Sequence, residues 1–266
     1  MGATIAVLSQ KGGTGKTTSV RTLVDILRRL GLEVLAVDLD PQGNLSDYFD
    51  VDPEASPTIG DVLAGRVAIA DAVHDGIVPA NLSLAEAEIG LVGKMGRELT
   101  LKRALAPVKD GYDLILLDCP PSLGLLTVNA LVAADHALLT TEAQYFAMQG
   151  VEQALEVIEL ARDGLNPQLG WLGVVFNIAD MRTRHSREAY ATLREHIGEK
   201  LFTTTVRQSI AYAESAELAV SILDHRPDLA ADYLALADEL LARLKLPELR
   251  VRLKQLTETI AGGSAR

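Results

Sequence analysis

The sequence predicts an α/β fold in which a doubly wound, mostly parallel sheet carries helices on both faces. Short apolar runs alternate with stretches of helical periodicity along most of the 266 residues, a pattern typical of buried parallel strands covered by helices. Hydrophobic residues make up 48% of the chain, enough for one sizeable core. A glycine-rich segment also separates the first apolar run from the first helical pattern, as in a strand, loop and helix unit that binds phosphate.

Six apolar runs have the length of buried strands, and nine segments have the periodicity of helices. The predicted strands span residues 4–8, 33–37, 82–85, 114–117, 137–140 and 172–176. In the first predicted helix, Val20, Leu23, Val24 and Leu27 share one face. The predicted helices span residues 17–30, 59–63, 69–73, 99–105, 123–133, 150–161, 186–197, 228–244 and 247–260.

The cysteine content, the apolar runs and the net charge exclude several classes of protein. The single cysteine, Cys119, excludes a disulfide framework within one chain and favours a reducing cytoplasm. We expect a soluble protein that is not exported, because the chain begins without a charged and apolar leader and no apolar run reaches the roughly 18 residues that span a bilayer. The net charge of -11 opposes general attraction to nucleic acid, so any DNA contact needs a local basic patch.

The segment 10–18, Q-K-G-G-T-G-K-T-T, is predicted to be a phosphate loop that binds a nucleoside triphosphate. Glycines allow a tight turn with inward N–H groups, and the helix start adds partial positive charge. Lys16 is expected on the β- and γ-phosphates and the Thr17 hydroxyl on Mg²⁺. The loop residues predicted to bind nucleotide are Lys11, Gly12, Gly13, Thr14, Gly15, Lys16, Thr17 and Thr18.

Three acids follow predicted strands. Asp38 and Asp40 end the second strand, where a metal ion with a triphosphate needs carboxylates; the alternative is a pair of turn-forming aspartates before Pro41. Asp118 ends a buried apolar strand, as in a Walker B motif that holds Mg²⁺ through water. Thr17 and Asp118 are therefore predicted metal ligands, and the residues alone leave open which of the acids at 38 and 40 joins them. The five histidines lack metal-ligand spacing, and Cys119 is interpreted as a small buried residue without a catalytic role.

The loop K-G-G-T-G-K-T-T resembles the deviant Walker A box of the ParA/MinD group of P-loop ATPases, and the preceding Gln10 resembles the ParA/Soj branch. The segments D-L-D-P-Q-G-N and D-C-P-P-S resemble the other two motifs of that family. The resemblance implies that Lys11 reaches the partner's phosphates across a nucleotide-sandwich dimer, that Asp40 positions the attacking water, and that Asp38 supports the metal. The implied catalytic residues are Lys11, Lys16 and Asp40.

Recognition of the base is assigned by resemblance as well. In similar proteins an asparagine or threonine near Asn177 contacts the purine ring; the alternative is an asparagine that caps a turn. ATP is favoured over GTP because the resemblance is to ATPases. The cofactors implied are ATP and Mg²⁺.

The resemblance further implies non-specific binding of double-stranded DNA by the ATP-bound homodimer. The segment 205–216 matches the family pattern I-P-R-x-x-R-x-x-E-A only loosely, because Ala211 takes the place of the second arginine and the first is displaced to Arg207. Two further basic groups are candidates, and the alternative for each is a solvated helix face. The candidate DNA-binding residues are Arg182, Arg184, Arg187, Arg207, Arg250 and Arg252.

Residues 1–246 are predicted to form the P-loop ATPase domain, and 247–266 a C-terminal helix and tail docked on it. Leu246, Leu249, Leu253, Leu256 and Ile260 are spaced for one helical face. A membrane-surface helix, as in MinD-like relatives, is the alternative, but this face lacks Trp and Phe.

The function implied is a Mg²⁺-dependent ATP hydrolase of chromosome or plasmid partition. It would be cytoplasmic and nucleoid-associated, form a homodimer with ATP, and release DNA after hydrolysis stimulated by a ParB-like protein. One alternative is a MinD-like or other positioning or regulatory ATPase that acts without DNA, possibly at the membrane. Another is an enzyme that phosphorylates a small metabolite, in which Lys11 would have no evident role.

Overall fold

A computed structural model describes residues 2–52, 54–143 and 147–263. Its centre is a seven-stranded sheet in which all neighbouring strands are parallel, in the order β3-β2-β4-β1-β5-β6-β7. The strands are β1 (Ala3–Leu8), β2 (Val34–Asp38), β3 (Ile77–Val78), β4 (Leu114–Asp118), β5 (His136–Glu142), β6 (Gly170–Ala179) and β7 (Leu201–Arg207). The predicted fold class is confirmed.

Helices connect the strands and cover both faces of the sheet. They are α1 (Lys16–Arg29), α2 (Asn44–Tyr48), α3 (Ile59–Ala64), α4 (Ser83–Leu91), α5 (Thr100–Leu105), α6 (Leu125–Ala133), α7 (Ala147–Gly164), α8 (Arg184–Ile197), α9 (Ala211–Glu217), α10 (Ile222–His225), α11 (Pro227–Arg243) and α12 (Pro247–Gly263). Four short 3₁₀ segments lie at Ile69–Ala72, Arg97–Leu99, Lys109–Gly111 and Gly198–Lys200. Among the described residues, no helix is both long enough and apolar enough to cross a bilayer.

The core forms two layers, one on each face of the sheet. Along β1, Ala6 and Leu8 pack into one layer while Ile5 and Val7 pack into the other, and all four side chains are fully buried. This alternation follows from the two-residue period of a strand. The central strands are therefore apolar on both sides, which is why their sequences are nearly continuous hydrophobic runs.

One strand prediction was wrong, and two strands were not predicted. The apolar run 82–85 begins helix α4 instead of forming a strand, and the third strand is the two-residue Ile77–Val78. Asn81 marks the helix start, because its Oδ1 accepts a hydrogen bond from the Ser83 N–H. Strand β7 was not predicted, since it lies at an edge and contains Thr203, Thr204 and Thr205 in place of an apolar run.

The C-terminal helix α12 packs beside α11. Leu253 is buried, and Arg252 donates to the backbone carbonyl of Leu30, which ends α1. Arg250 forms an ion pair with Asp238 of α11. The division of the chain at residue 246 stays a prediction, and the predicted tail residues 264–266 lie outside the described residues.

Candidate nucleotide site

The phosphate loop joins β1 to α1 at the carboxyl edge of the sheet, where ligands bind in open α/β folds. Gly13 and Gly15 have φ values of 79° and 73°. Glycine adopts this left-handed region with little strain, whereas residues with a Cβ atom are strained there. Gly15 directly precedes α1, so the first N–H groups of that helix are available to an anion. Inside the turn, the Ser9 hydroxyl donates to the Lys11 carbonyl at 2.8 Å.

Side chains beneath the loop fix its shape. The Thr14 and Thr140 hydroxyls share a hydrogen bond of 3.0 Å. The Asn177 amide donates to the Thr14 carbonyl at 2.9 Å and to the Ser19 hydroxyl at 3.1 Å. A Cβ atom added at Gly15 would lie 3.0 Å from the Asn177 Nδ2, so a side chain there would press on Asn177. Asn177 therefore braces the loop, and its predicted contact with the purine ring stays a prediction.

Asn177 is directed toward the loop by an irregularity of the sheet. Ile178 has a φ of 52°, a rare conformation for a β-branched residue. The register between β6 and β7 also shifts between Phe176 and Ala179. Strained backbone of this kind is concentrated at functional sites. Neither the φ value nor the shift has a signal in the sequence.

Lys16 and Asp118 form a buried ion pair in this structure. The Lys16 Nζ lies 2.5 Å from the Asp118 Oδ1, and the two side chains are 6% and 0% exposed. Burial alone lowers the pKa of Lys16, but the Asp118 carboxylate outweighs it, and the net pKa lies above the ordinary value. Lys16 therefore stays charged inside the protein, as a group that binds phosphate must.

Asp38 lies beside Asp118 in the register of β2 and β4. Its Oδ2 accepts hydrogen bonds from the Ser46 N–H at 3.0 Å and the Ser46 hydroxyl at 2.8 Å. Burial and the neighbouring Asp118 raise the pKa of Asp38 to about 7. Two buried carboxyls side by side repel each other, so the arrangement favours a cation between them.

Asp40 is held next to Asp38 at the edge of the cleft. Its N–H donates to the Asp38 Oδ1 at 3.0 Å, and its own Oδ1 accepts from the Gln42 N–H at 3.0 Å. The structure thus brings Lys16, Asp38, Asp40 and Asp118 together at one edge of the sheet, and their roles toward nucleotide and metal stay predictions. The role of Ser46 had no signal in the sequence beyond its place after the acidic segment.

The acids fit a magnesium ion that shares its ligands with a nucleotide. Among the described residues, no three acidic, histidine or cysteine side chains form a cluster that could hold a metal by themselves. The buried Asp118 Oδ2, however, has no hydrogen-bond partner within the described part of the chain. A hard cation prefers such carboxylate oxygens and keeps phosphate and water as its remaining ligands.

A cleft of about 840 Å³ opens over the phosphate loop, with Lys16 and Asp40 in its lining, and its volume is within the usual range for small-molecule sites. Lys11, Gly12 and Gly13 are exposed at its lip. On the far side, the Tyr48 hydroxyl contacts the Thr18 hydroxyl at 3.1 Å and donates to the Tyr212 carbonyl at 3.3 Å. This aromatic wall was not predicted, because its residues are far apart in sequence.

The six candidate DNA-binding arginines all have contacts within the chain. Arg182, Arg184, Arg207 and Arg250 form ion pairs with Asp180, Glu188, Asp232 and Asp238. Arg187 and Arg252 donate to backbone carbonyls. Arg182 and Arg184 are nevertheless 91% and 85% exposed. Their assignment to DNA stays a prediction.

Cys119 follows Asp118 but is fully buried, and burial raises the pKa of its thiol to about 12. A thiol that stays protonated at neutral pH is a poor nucleophile. This agrees with its interpretation as a packing residue.

Comparison with known proteins shows the family. The family model described as AAA domain matches residues 2–171. The chain is 38% identical over 251 residues to the chromosome-partitioning ATPase Soj of Treponema pallidum, which covers 91% of this chain and 98% of that protein. It is 40% identical over 246 residues to the chromosome-partitioning ATPase Soj of Thermus thermophilus, covering 91% and 96%.

A solved structure is similar in fold as well as sequence. It is described as cobyrinic acid a,c-diamide synthase from Mycobacterium smegmatis with bound ATP analogue and magnesium. Its TM-score is 0.83 at 34% identity, and the match covers 92% of this chain and 96% of that one. Its ligands agree with the predicted cofactors. Together with the lysine-led phosphate loop, these likenesses confirm the predicted family: the chain belongs to the ParA/Soj family of P-loop ATPases.

Proposed function

We propose that this chain is an ATPase of chromosome or plasmid partition. In the proposed cycle it dimerises with ATP, binds double-stranded DNA without sequence preference, and releases DNA after hydrolysis stimulated by a ParB-like partner. The observation that carries the proposal is the group at the carboxyl edge of the sheet: Lys16 paired with Asp118, Asp38 beside them, and Lys11 at the exposed lip. The two Soj relatives, named as chromosome-partitioning ATPases, support the partition role.

The first step is the binding of ATP. The loop amides and the start of α1 hold the phosphates, and Lys16 exchanges Asp118 for the β- and γ-phosphates. Release of Asp118 makes its carboxylate available to a metal. Magnesium, when bound, would be held by Thr17 with Asp38 and Asp118, directly or through water, and would neutralise charge on the phosphates.

Hydrolysis needs a water molecule in line with the γ-phosphate, and Asp40 is the residue proposed to orient it. Its hydrogen bonds to Asp38 and Gln42 fix its position relative to the metal-shell acid. Phosphoryl transfer requires positioning and charge stabilisation more than covalent chemistry from the protein. A slow intrinsic rate is expected until a partner completes the site.

Lys11 is the residue proposed to act in the partner subunit's site. It is exposed at the mouth of the cleft, whereas Lys16 is buried at its base. One chain therefore presents two lysines at different depths of the same loop. In this proposal the buried lysine binds the nucleotide of its own chain, and the exposed lysine binds that of a second copy.

DNA binding is proposed for the ATP dimer, which would be cytoplasmic and nucleoid-associated. The candidate surfaces are Arg182, Arg184 and Arg187 around the start of α8, Arg207 after β7, and Arg250 and Arg252 on α12. A dimer presents each patch twice, and phosphate contacts add through release of counterions. Intrachain ion pairs at exposed arginines are weak enough to exchange for phosphate.

A second candidate is a positioning or regulatory ATPase that acts without DNA. It is favoured by Ala211 in place of the family arginine and by the intrachain partners of all six candidate arginines.

Gel shifts with linear duplex DNA decide between the two functions. The wild-type chain and Lys16→Ala are compared with ATP, with ADP and without nucleotide, at two salt concentrations. The partition proposal predicts a shift only for wild type with ATP, weakening steeply with salt. A wild-type protein that binds ATP but shifts no DNA would overturn the proposed DNA binding and favour the second candidate.

A further inference from the structure

Helix α4 and the turn after it carry a row of exposed apolar side chains, here called the α4 ridge: Leu82, Ile89, Val92 and Met95. Their exposed fractions are 71%, 74%, 57% and 99%. Together with the exposed Ala85, residues 82, 85, 89 and 92 follow one another at intervals of three and four, so they share one face. Grouped exposed apolar side chains mark an interaction surface far more often than scattered ones.

The ridge is not needed for the fold of its own helix. Leu84 and Leu91 point the other way and are fully buried. Helix α3 approaches α4 closely on that buried side, since a Cβ added at Gly60 would lie 3.3 Å from the Leu84 Cα. The helix is therefore anchored through one face and presents the other to solvent.

Contacts connect the ridge helix to the lip of the nucleotide cleft. A Cβ added at Gly124 would lie 3.5 Å from the Glu88 Oε1, so α4 lies against the segment that follows Asp118. In that segment, Pro121 lies beside the phosphate loop, 3.9 Å from a Cβ added at Gly12. Residues 120–124 therefore lie between the ridge helix and the loop lip, so that the three segments are neighbours in space.

A second connection reaches the acid of the metal shell. The Ala80 N–H, just before α4, donates to the Ser46 hydroxyl at 3.0 Å, and that hydroxyl donates to Asp38 at 2.8 Å. The position of α4 is thereby tied to groups that respond to nucleotide and metal.

We infer that the α4 ridge packs against a second copy of this chain in the nucleotide-bound dimer; this inference rests on the dimer of the proposed function. The loop lip is rich in glycine and offers little apolar area for a dimer interface. The neighbouring α4 ridge would supply that area. The charges also fit a copy of the same chain: Glu86 and Glu88 lie in α4, and the exposed Lys94 follows its end, whereas Arg97 pairs with Glu98 within the chain. A two-fold interface can set these opposite signs against each other, whereas a partner of one sign would meet repulsion at one end.

The test measures dimer formation with magnesium and a non-hydrolysable ATP analogue by light scattering over a range of protein concentrations. Ile89→Asp and Val92→Asp place a charge in the ridge, and Ile89→Leu keeps it apolar. The matched control is Leu160→Asp, because Leu160 is 72% exposed on α7, outside the ridge. Calorimetric binding of the analogue shows that each variant is folded.

The inference predicts that Ile89→Asp and Val92→Asp bind the analogue normally but dimerise at least about tenfold more weakly, equivalent to about 1.4 kcal/mol. Ile89→Leu and Leu160→Asp should dimerise like wild type. If both ridge variants dimerise as strongly as wild type, the inference is overturned and the proposed dimer is not. The same holds if the variants dimerise normally and lose only their stimulation by a partner protein. A wild-type chain that binds the analogue and stays monomeric overturns the proposed dimer itself.

Discussion

At the scale of single residues, the main finding is that Lys16 and Asp118 share one buried ion pair. The sequence assigned them to separate tasks, phosphate and metal. Breaking a buried pair leaves a charge without compensation unless another partner is supplied. A triphosphate with magnesium supplies a new partner to each residue. The ion pair should therefore break when the ligand binds and not in its absence.

Substitution of Asp40 should separate ATP binding from ATP hydrolysis. Asp40→Ala removes the carboxylate proposed to orient water but leaves Lys16, Asp38 and Asp118 in place. We expect ATP-induced dimers on size-exclusion chromatography together with loss of phosphate release. An Asp40→Ala protein that binds ATP but stays monomeric would count against the assigned role.

At the scale of elements, the strand, loop and helix unit was predictable because each part has a strong local signal. The apolar run gives β1, the glycines give the turn, and the periodicity of residues 17–30 gives α1. Strand β3 and helix α4 were mistaken because a four-residue apolar run fits either type, and the fold, not the run, decides. Strand β7 is held by its neighbours and has no apolar run of its own.

The site was predictable to a similar extent. The motif residues could be expected to lie together because they stand at or just after the carboxyl ends of parallel strands, and these ends meet at one edge; their roles stay predictions. Asn177 was named, but its role beneath the loop depends on the backbone of Ile178 and the shifted register. Ser46, Tyr48 and Tyr212 contribute through contacts that exist only after folding.

Arg243 shows how tertiary structure changes the meaning of a charge. It lies in a basic stretch near the C-terminus, yet it donates to the carbonyls of Leu172 and Glu199 at 2.6 and 2.9 Å and pairs with Glu239. Its guanidinium also lies 3.8 Å from the centre of the Phe202 ring. Arg243 thus joins α11 to the edge of the sheet.

Arg243→Ala should therefore reduce the free energy of unfolding by about 2 kcal/mol, since it leaves partly buried carbonyls unsatisfied and removes a ring contact. Urea denaturation measures the change. Arg250→Ala is the control, because its ion pair with Asp238 is exposed and should contribute little. Equal effects of the two substitutions would contradict the structural role given to Arg243.

For the whole molecule, the net charge of -11 opposes the proposed binding of DNA, because DNA is itself negatively charged. The candidate arginines are spread over α8, the end of β7 and α12. The net negative charge of a single chain weakens its attraction to DNA. The proposed dimer would present each patch twice, so we expect DNA binding to depend on the nucleotide.

Lys11 gives the prediction for assembly. Lys11→Ala leaves the loop amides and Lys16 intact, so ATP binding to the monomer should stay within a few-fold of wild type. The cation offered to the second copy is lost, and we expect the dimer with ATP to weaken clearly on size-exclusion chromatography. A Lys11→Ala chain that dimerises like wild type would show that the lysine has another role.

The most direct test is calorimetric measurement of ATP binding with excess magnesium. It asks whether the loop amides and a lysine released from Asp118 bind a triphosphate. We expect saturable binding of one ATP per chain for wild type and none for Lys16→Ala. A folded wild-type protein that releases or absorbs no heat with adenosine nucleotides, over a range of temperatures, would contradict it.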